Sequence, residues 1–101
     1  MGTQGDRAIK ITGIIWLEEI VEKLESKHHV LPEEVEQVFE NRPGVKRMNK
    51  GRYRGEDVYR ALGQTDAGRY LAIFFIYRTQ EALILSARDM DNSKERKSHA
   101  G

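Results

Sequence analysis

Apolar residues recur along the chain in two rhythms, first at the spacing of a helical face and later in short runs of strand length bounded by turn residues. Residues 8 to 15, AIKITGII, alternate through Ile9, Ile11 and Ile14 and predict a short first strand, with Gly13 marking a bulge or bend. In the following WLEEIVEKLESKHH, Leu17, Ile20, Val21 and Leu24 fall on one helical stripe among acids and lysines. The acids come early and Lys27, His28 and His29 come late, the order that the helix dipole favours. A second helix is predicted over VLPEEVEQVFENRPG. Pro32 suits its first position, Glu33 and Glu34 its first turn, and Val35, Val38 and Phe39 its buried stripe, while Asn41, Pro43 and Gly44 end it.

The remainder reads as strands. Val45 to Gly55 is strongly basic and punctuated by glycines, which predicts a strand flanked by an exposed loop. DVYRALGQT follows and is closed by the turn TDAG; RYLAIFFIYR is apolar on both faces, as a central strand would be; TQE then turns the chain into ALILSAR. The order strand, helix, helix and four-strand antiparallel meander is an α+β fold, mainly an antiparallel sheet with two helices packed on one face. The tail DMDNSKERKSHAG has too few apolar residues for a core element and is expected to be a short surface helix or a flexible end. Alternation along the last strand puts Ala82, Ile84, Ser86 and Arg88 on one face and Leu83, Leu85 and Ala87 on the other, so Arg88 is expected at the rim of the sheet.

With 101 residues, 39% hydrophobic and 33% charged, the chain is one soluble domain spanning 1–101, with flexible ends expected at 1–7 and 98–101. It has no cysteine, so disulfides and thiolate nucleophiles are excluded, and no apolar run of membrane-spanning length; a cytoplasmic location is expected. The net charge of +1 hides an asymmetry: residues 1–41 hold 4 Lys/Arg against 9 Asp/Glu, residues 42–101 hold 13 against 7. That pattern fits a face that binds a polyanion, and equally two solvated surfaces of different sign.

Few residues could carry chemistry. GRYRG lacks the Lys-Ser/Thr of a phosphate-binding loop, and His28-His29 lacks the partner spacing of a metal site, so neither metal nor cofactor is expected. Lys27-His28 can be a cationic helix end or a proton-transfer group beside a phosphate-binding lysine. Arg88 can pair with Glu81, Asp89 or Asp57, or meet an anion.

The order W…KLESKHHVLPEEVEQVF, EDVYRALGQTDAGRYLAIFFIY and ILSARDM…KERK resembles the BrnT family of type II toxins, small ribonucleases with a compact RelE-like fold, over Trp16 to Lys97. Members usually read Lys-His-Gly where this chain has His29 after Lys27-His28, and an Asp-Glu pair after the Trp where it has Leu17, Glu18 and Glu19. The resemblance implies a metal-independent endoribonuclease that cuts messenger RNA through attack of the 2′-hydroxyl. Arg88 would stabilise the transition state, His28 transfer a proton and Lys27 bind phosphate, with Glu56 and Tyr59 as further acid and base candidates. Arg60, Arg69 and Arg78 would line the RNA path together with the basic stretch of Lys46, Arg47, Arg52 and Arg54. The implied partner is a BrnA-like antitoxin with a ribbon-helix-helix domain, through which alone DNA is contacted. The other reading is a catalytically silent module that holds antitoxin or RNA without cutting.

Overall fold

A computed structural model describes residues 10–90, with backbone alone for residues 49–52. The short strand β1 (Gly13–Ile15) leads to α1 (Glu18–Lys23), which runs directly into one turn of π-helix (Leu24–His28). Then come α2 (Pro32–Glu40) and the strands β2 (Gly44–Tyr53), β3 (Glu56–Gln64), β4 (Tyr70–Arg78) and β5 (Glu81–Asp89). They form one five-stranded sheet in the order β1-β5-β4-β3-β2. The last four strands are an antiparallel meander, and β1 joins the edge of β5 in parallel. This is the α+β fold that the hydrophobic pattern predicts.

The two helices pack on one face, α2 over β3 and β4 and the π turn over β5. Leu24, Val30, Val35 and Val38 are buried there against Ile73, Phe75 and Ile84. Each such side chain contributes about 1.5–3 kcal/mol on leaving water. Phe39 of α2 meets Phe75 edge to face, with ring centres 5.3 Å apart. Close approach of α2 depends on Gly63, where a Cβ would lie 2.9 Å from Val38 Cγ1 and 3.1 Å from Pro43 Cβ. The helix itself starts as the sequence predicts: Pro32 holds its first turn, and Glu34 Oε1 accepts a hydrogen bond from the Leu31 N–H at 3.0 Å.

Several expectations need correction. Strand β1 begins at Gly13, which therefore opens the strand and does not interrupt it; residues 8 and 9 lie outside the described residues, as do the two termini expected to be flexible and most of the polar tail. Asp89 and Met90, taken as the start of that tail, belong to the fold, Asp89 in β5 and Met90 buried. In the first helix only Leu24 of the stripe is fully buried, and Leu17 is 39% exposed at the helix start. The basic stretch is a strand for more of its length than expected, since β2 runs through it to Tyr53 and only Arg54 and Gly55 turn, both with positive φ as a two-residue hairpin connection requires. Within it the register is irregular: five steps along β2, from Arg47 to Arg52, face two along β3.

The most consequential correction concerns β5. Phe74 pairs with Ser86 but Phe75 pairs with Ile84, so Leu85 is an extra residue, a β-bulge. Side-chain alternation therefore reverses at Leu85. Ala82 and Ile84 share the helix-covered face with Ala87, not with Ser86 and Arg88. Arg88 projects on the second face, where Leu62, Ala72 and Met90 form a smaller apolar cluster with Tyr70 and Phe74 packed against it.

The π turn ends at His29, whose φ of 55° and ψ of 40° are left-handed. The N–H of Val30 reaches back to the Leu24 carbonyl at 3.1 Å, and both side chains are buried, as at a helix end closed by glycine. A β-carbon in that conformation costs about 1–2 kcal/mol, partly offset in a Gly variant by the looser unfolded chain. His29→Gly is expected to stabilise the protein by about 0.5 kcal/mol, roughly 2–4 °C in Tm, read by thermal denaturation. A lower Tm would mean that the imidazole itself contributes at this position.

Candidate active site

The corner where the π turn, α2 and the end of β5 meet is organised by Arg69, the residue just before β4. Its Nε donates to Asp89 Oδ1 at 2.7 Å and its Nη2 to Asp89 Oδ2 at 3.3 Å and to the His28 carbonyl at 3.0 Å. Nη1 donates to the His29 carbonyl at 2.8 Å and to Glu34 Oε1 at 3.0 Å. All five N–H donors of the guanidinium are thus engaged within the fold. Arg69 caps the open carbonyls of the π turn and ties them to the first turn of α2 and to β5. Its expected place along an RNA path is incompatible with this saturation.

Asp89 is held below the usual carboxylate range, first by the hydrogen bond from Arg69, then by the charge of Arg69 and that of nearby His28, against a smaller opposing effect of burial than the hydrogen bond. Arg69 is raised chiefly by the same bond. Asp89 and Arg88 are neighbours in sequence but point to opposite faces: Asp89 toward the π turn, Arg88 to the second face. Arg88 Nη1 donates to the Asp89 carbonyl at 3.0 Å, and its guanidinium lies over the Phe74 ring, 5.4 Å from the centroid. The π turn that bears Lys27 and His28 packs against β5 from the helix side, and Arg88 leaves the end of the same strand on the opposite face. Beyond Leu83 that strand has no strand partner on its outer side among the described residues, and the π turn packs beside it.

Glu56 and Tyr59 are not at that corner. Glu56 sits at the far end of the sheet and pairs with Arg78 at 3.3 Å. The register from Ala72, opposite Arg88, to Arg78 is six residues, about 20 Å along β4. Tyr59 faces the helices and stacks on Phe75 with ring centres 5.8 Å apart. Neither can share a phosphate with Arg88. Arg47 is paired with Asp57 at 3.3 Å, and Arg54 lies over Tyr53 in the hairpin turn; Arg52 pairs in register with Asp57.

The remaining cations gather on the second face. Lys46, Arg60, Phe74 and Ser86 stand in one row across β2 to β5, with Arg88 two residues further along β5. The Nε of Arg60 is shielded from solvent and has no hydrogen-bond partner among the described residues. Phe74 was not legible as part of the site, because its position over Arg88 follows from the bulge. A separate cavity of about 340 Å³, lined by Ile11, Phe39, Glu36 and Glu40 among others, carries two carboxylates and no candidate residue. Among the described residues no group of three or more His, Asp or Glu could hold a metal ion, and no helix is long and apolar enough to cross a membrane.

The fold is that of a small α+β protein with two helices on one face of a five-stranded mixed sheet. The chain is similar to the crystal structure of the Brucella abortus ribonuclease toxin BrnT, with a TM-score of 0.58 and 18% identity over 80% of this chain and 99% of that one, a likeness of fold. No curated protein matches it. Residues 16–95 match the family described as ribonuclease toxin, BrnT, of type II toxin-antitoxin systems, and the chain belongs to that family.

The depressed Asp89 group carries a linkage whose sign is set by its direction. Its stabilisation is complete above the ordinary value of 3.8 and is lost as pH falls through the lower folded value. Asp89→Asn is expected to be less stable than the parent at pH 7, with the two melting temperatures converging below pH 3.8. A difference that does not shrink in acid would assign the loss to packing.

Proposed function

We propose that this ribonuclease toxin cleaves messenger RNA without a metal ion, by attack of a ribose 2′-hydroxyl on the adjacent phosphate. The P–O bond to the 5′-oxygen breaks as the new one forms, leaving a 2′,3′-cyclic phosphate and a free 5′-hydroxyl. The observation that carries this reading is the guanidinium of Arg88, held between the Phe74 ring and its neighbour's carbonyl at the end of β5, the strand against which the π turn bearing Lys27 and His28 packs. Arg88 meets the negative charge that grows on the phosphoryl oxygens, a task that suits its planar, bidentate donors. His28 moves a proton between RNA and solvent, and Lys27 binds phosphate. Arg60 and Lys46 extend the cationic surface along the second face. Family membership supplies the class of reaction and implies an antitoxin; we assign that antitoxin to the ribbon-helix-helix type, with an acidic or apolar segment covering the basic face. Any contact with DNA then runs through the antitoxin, and the toxin works in the cytoplasm.

Cleavage of a labelled RNA in EDTA tests this directly. The expected products carry cyclic phosphate ends, and Arg88→Ala lowers the rate by roughly two to three orders of magnitude with little change in Tm. RNA bound but uncut by the parent would make the protein a binding module. His28→Ala is expected to change the pH dependence of cleavage. An unchanged profile would remove His28 from proton transfer.

A further inference from the structure

Phe74 and Arg60 are neighbours in the paired strands β3 and β4, and Arg88 reaches over the same ring from β5. The ring is half-buried against Leu62 and Ala72, so it cannot swing away from the sheet. A guanidinium resting on a fixed ring keeps its in-plane donors directed sideways, which limits the rotamers that an arginine otherwise samples. On the other side of the ring, Arg60 has an N–H that is shut off from water and unmatched by any acceptor of the described residues. Buried polar groups in native folds are almost always paired, and one that is not marks strain, a role in catalysis or binding, or a place for a bound water or ion. Two arginines of different standing thus flank one ring: Arg88 held in place, Arg60 with an unmet donor. Their Cα atoms lie two strands apart and two residues out of line, about 12 Å in all, a span over which successive phosphates of one strand can meet both.

We infer that Arg60, Phe74 and Arg88 form one RNA-binding unit, in which Phe74 is a positioning residue for Arg88 and the partly exposed guanidinium of Arg60 takes a neighbouring phosphate of single-stranded RNA. The inference rests on the ribonuclease reading and adds the subsite beside the scissile phosphate. Ser86 and Lys46, in the same row, border the unit.

The test uses an RNA oligonucleotide with 2′-O-methyl groups throughout, which lacks the nucleophile and reports binding alone, together with cleavable RNA. Arg60→Gln is expected to weaken binding of the methylated RNA about tenfold and to lower the salt slope by roughly 0.7 to 1. Its Tm should rise or stay level, whereas loss of a structural arginine would lower it. Phe74→Leu should reduce kcat on cleavable RNA at least tenfold, and Phe74→Tyr should restore it, since tyrosine keeps the ring face and leucine keeps only the apolar volume. Unchanged affinity and salt slope in Arg60→Gln, or equal kcat in the Leu and Tyr variants, would overturn the inference while a cutting parent leaves the ribonuclease reading standing. If the parent neither binds the methylated RNA nor cuts any RNA, the ribonuclease reading falls and this unit with it.

Discussion

One guanidinium holds the working end of this molecule together. The π turn stops with its last carbonyls facing the sheet, α2 begins with a carboxylate at Glu34, and β5 ends with another at Asp89. Arg69 answers all of them at once, and a lysine could not, because three donors on a point charge cannot serve five acceptors held in one plane. The left-handed backbone at His29 belongs to the same arrangement. It turns the chain so that the carbonyls of His28 and His29 both reach the guanidinium. Lys27 and His28 thereby become fixed relative to β5, although neither has to bond to it directly. A segment of surface helix would otherwise fray at this end, as uncapped helix ends do.

The bulge at Leu85 sets the other half of the geometry. With regular alternation Arg88 would share the helix-covered face with Ile84, on the side where the π turn packs. The extra residue sends Arg88 to the second face, over Phe74, and Asp89 to the helix side, into the Arg69 clamp. Bulges recur beside active sites because they re-aim a side chain without ending the strand.

The elements themselves were legible in the sequence because each carries its own local pattern: the Pro32-Glu33-Glu34 start of α2, the apolar run of β4, the turn residues between them. What escaped was whatever depends on one strand seen from another. In ALILSAR the bulged Leu85 is apolar and fits either face, so nothing in the run announces a change of phase. Glu56 and Tyr59 looked like partners for Arg88 because charge and hydroxyl groups suggest chemistry, yet distance along β4 and the side of the sheet decide whether they can meet it. Arg69 reads in the sequence as one more cation near a turn; its acceptors come from residues 28, 29, 34 and 89, remote in the chain. The glycines of the basic stretch suggested a loop beside its strand, whereas β2 absorbs the extra residues by slipping register and continues to Tyr53.

Accounting for donors separates the arginines more sharply than charge does. Arg69 has every N–H matched and is committed to the fold. Arg47 and Arg78 form ion pairs in which the arginine side chain is 60% and 64% exposed, a kind of contact worth about 0–1 kcal/mol, so they are open to exchange with solvent or ligand. Arg60 differs from both: leaving a shielded N–H without an acceptor costs about 1–3 kcal/mol, a large share of the stability of a domain this size. A fold selected for stability alone would place an apolar residue there, beside Phe74 and Leu62. Such a conflict between local rule and overall fold is what marks functional positions in proteins generally. The cost borne at Arg60 and the clamp made at Arg69 are therefore two sides of one arrangement, in which a tightly satisfied network on the helix side supports unsatisfied capacity on the other.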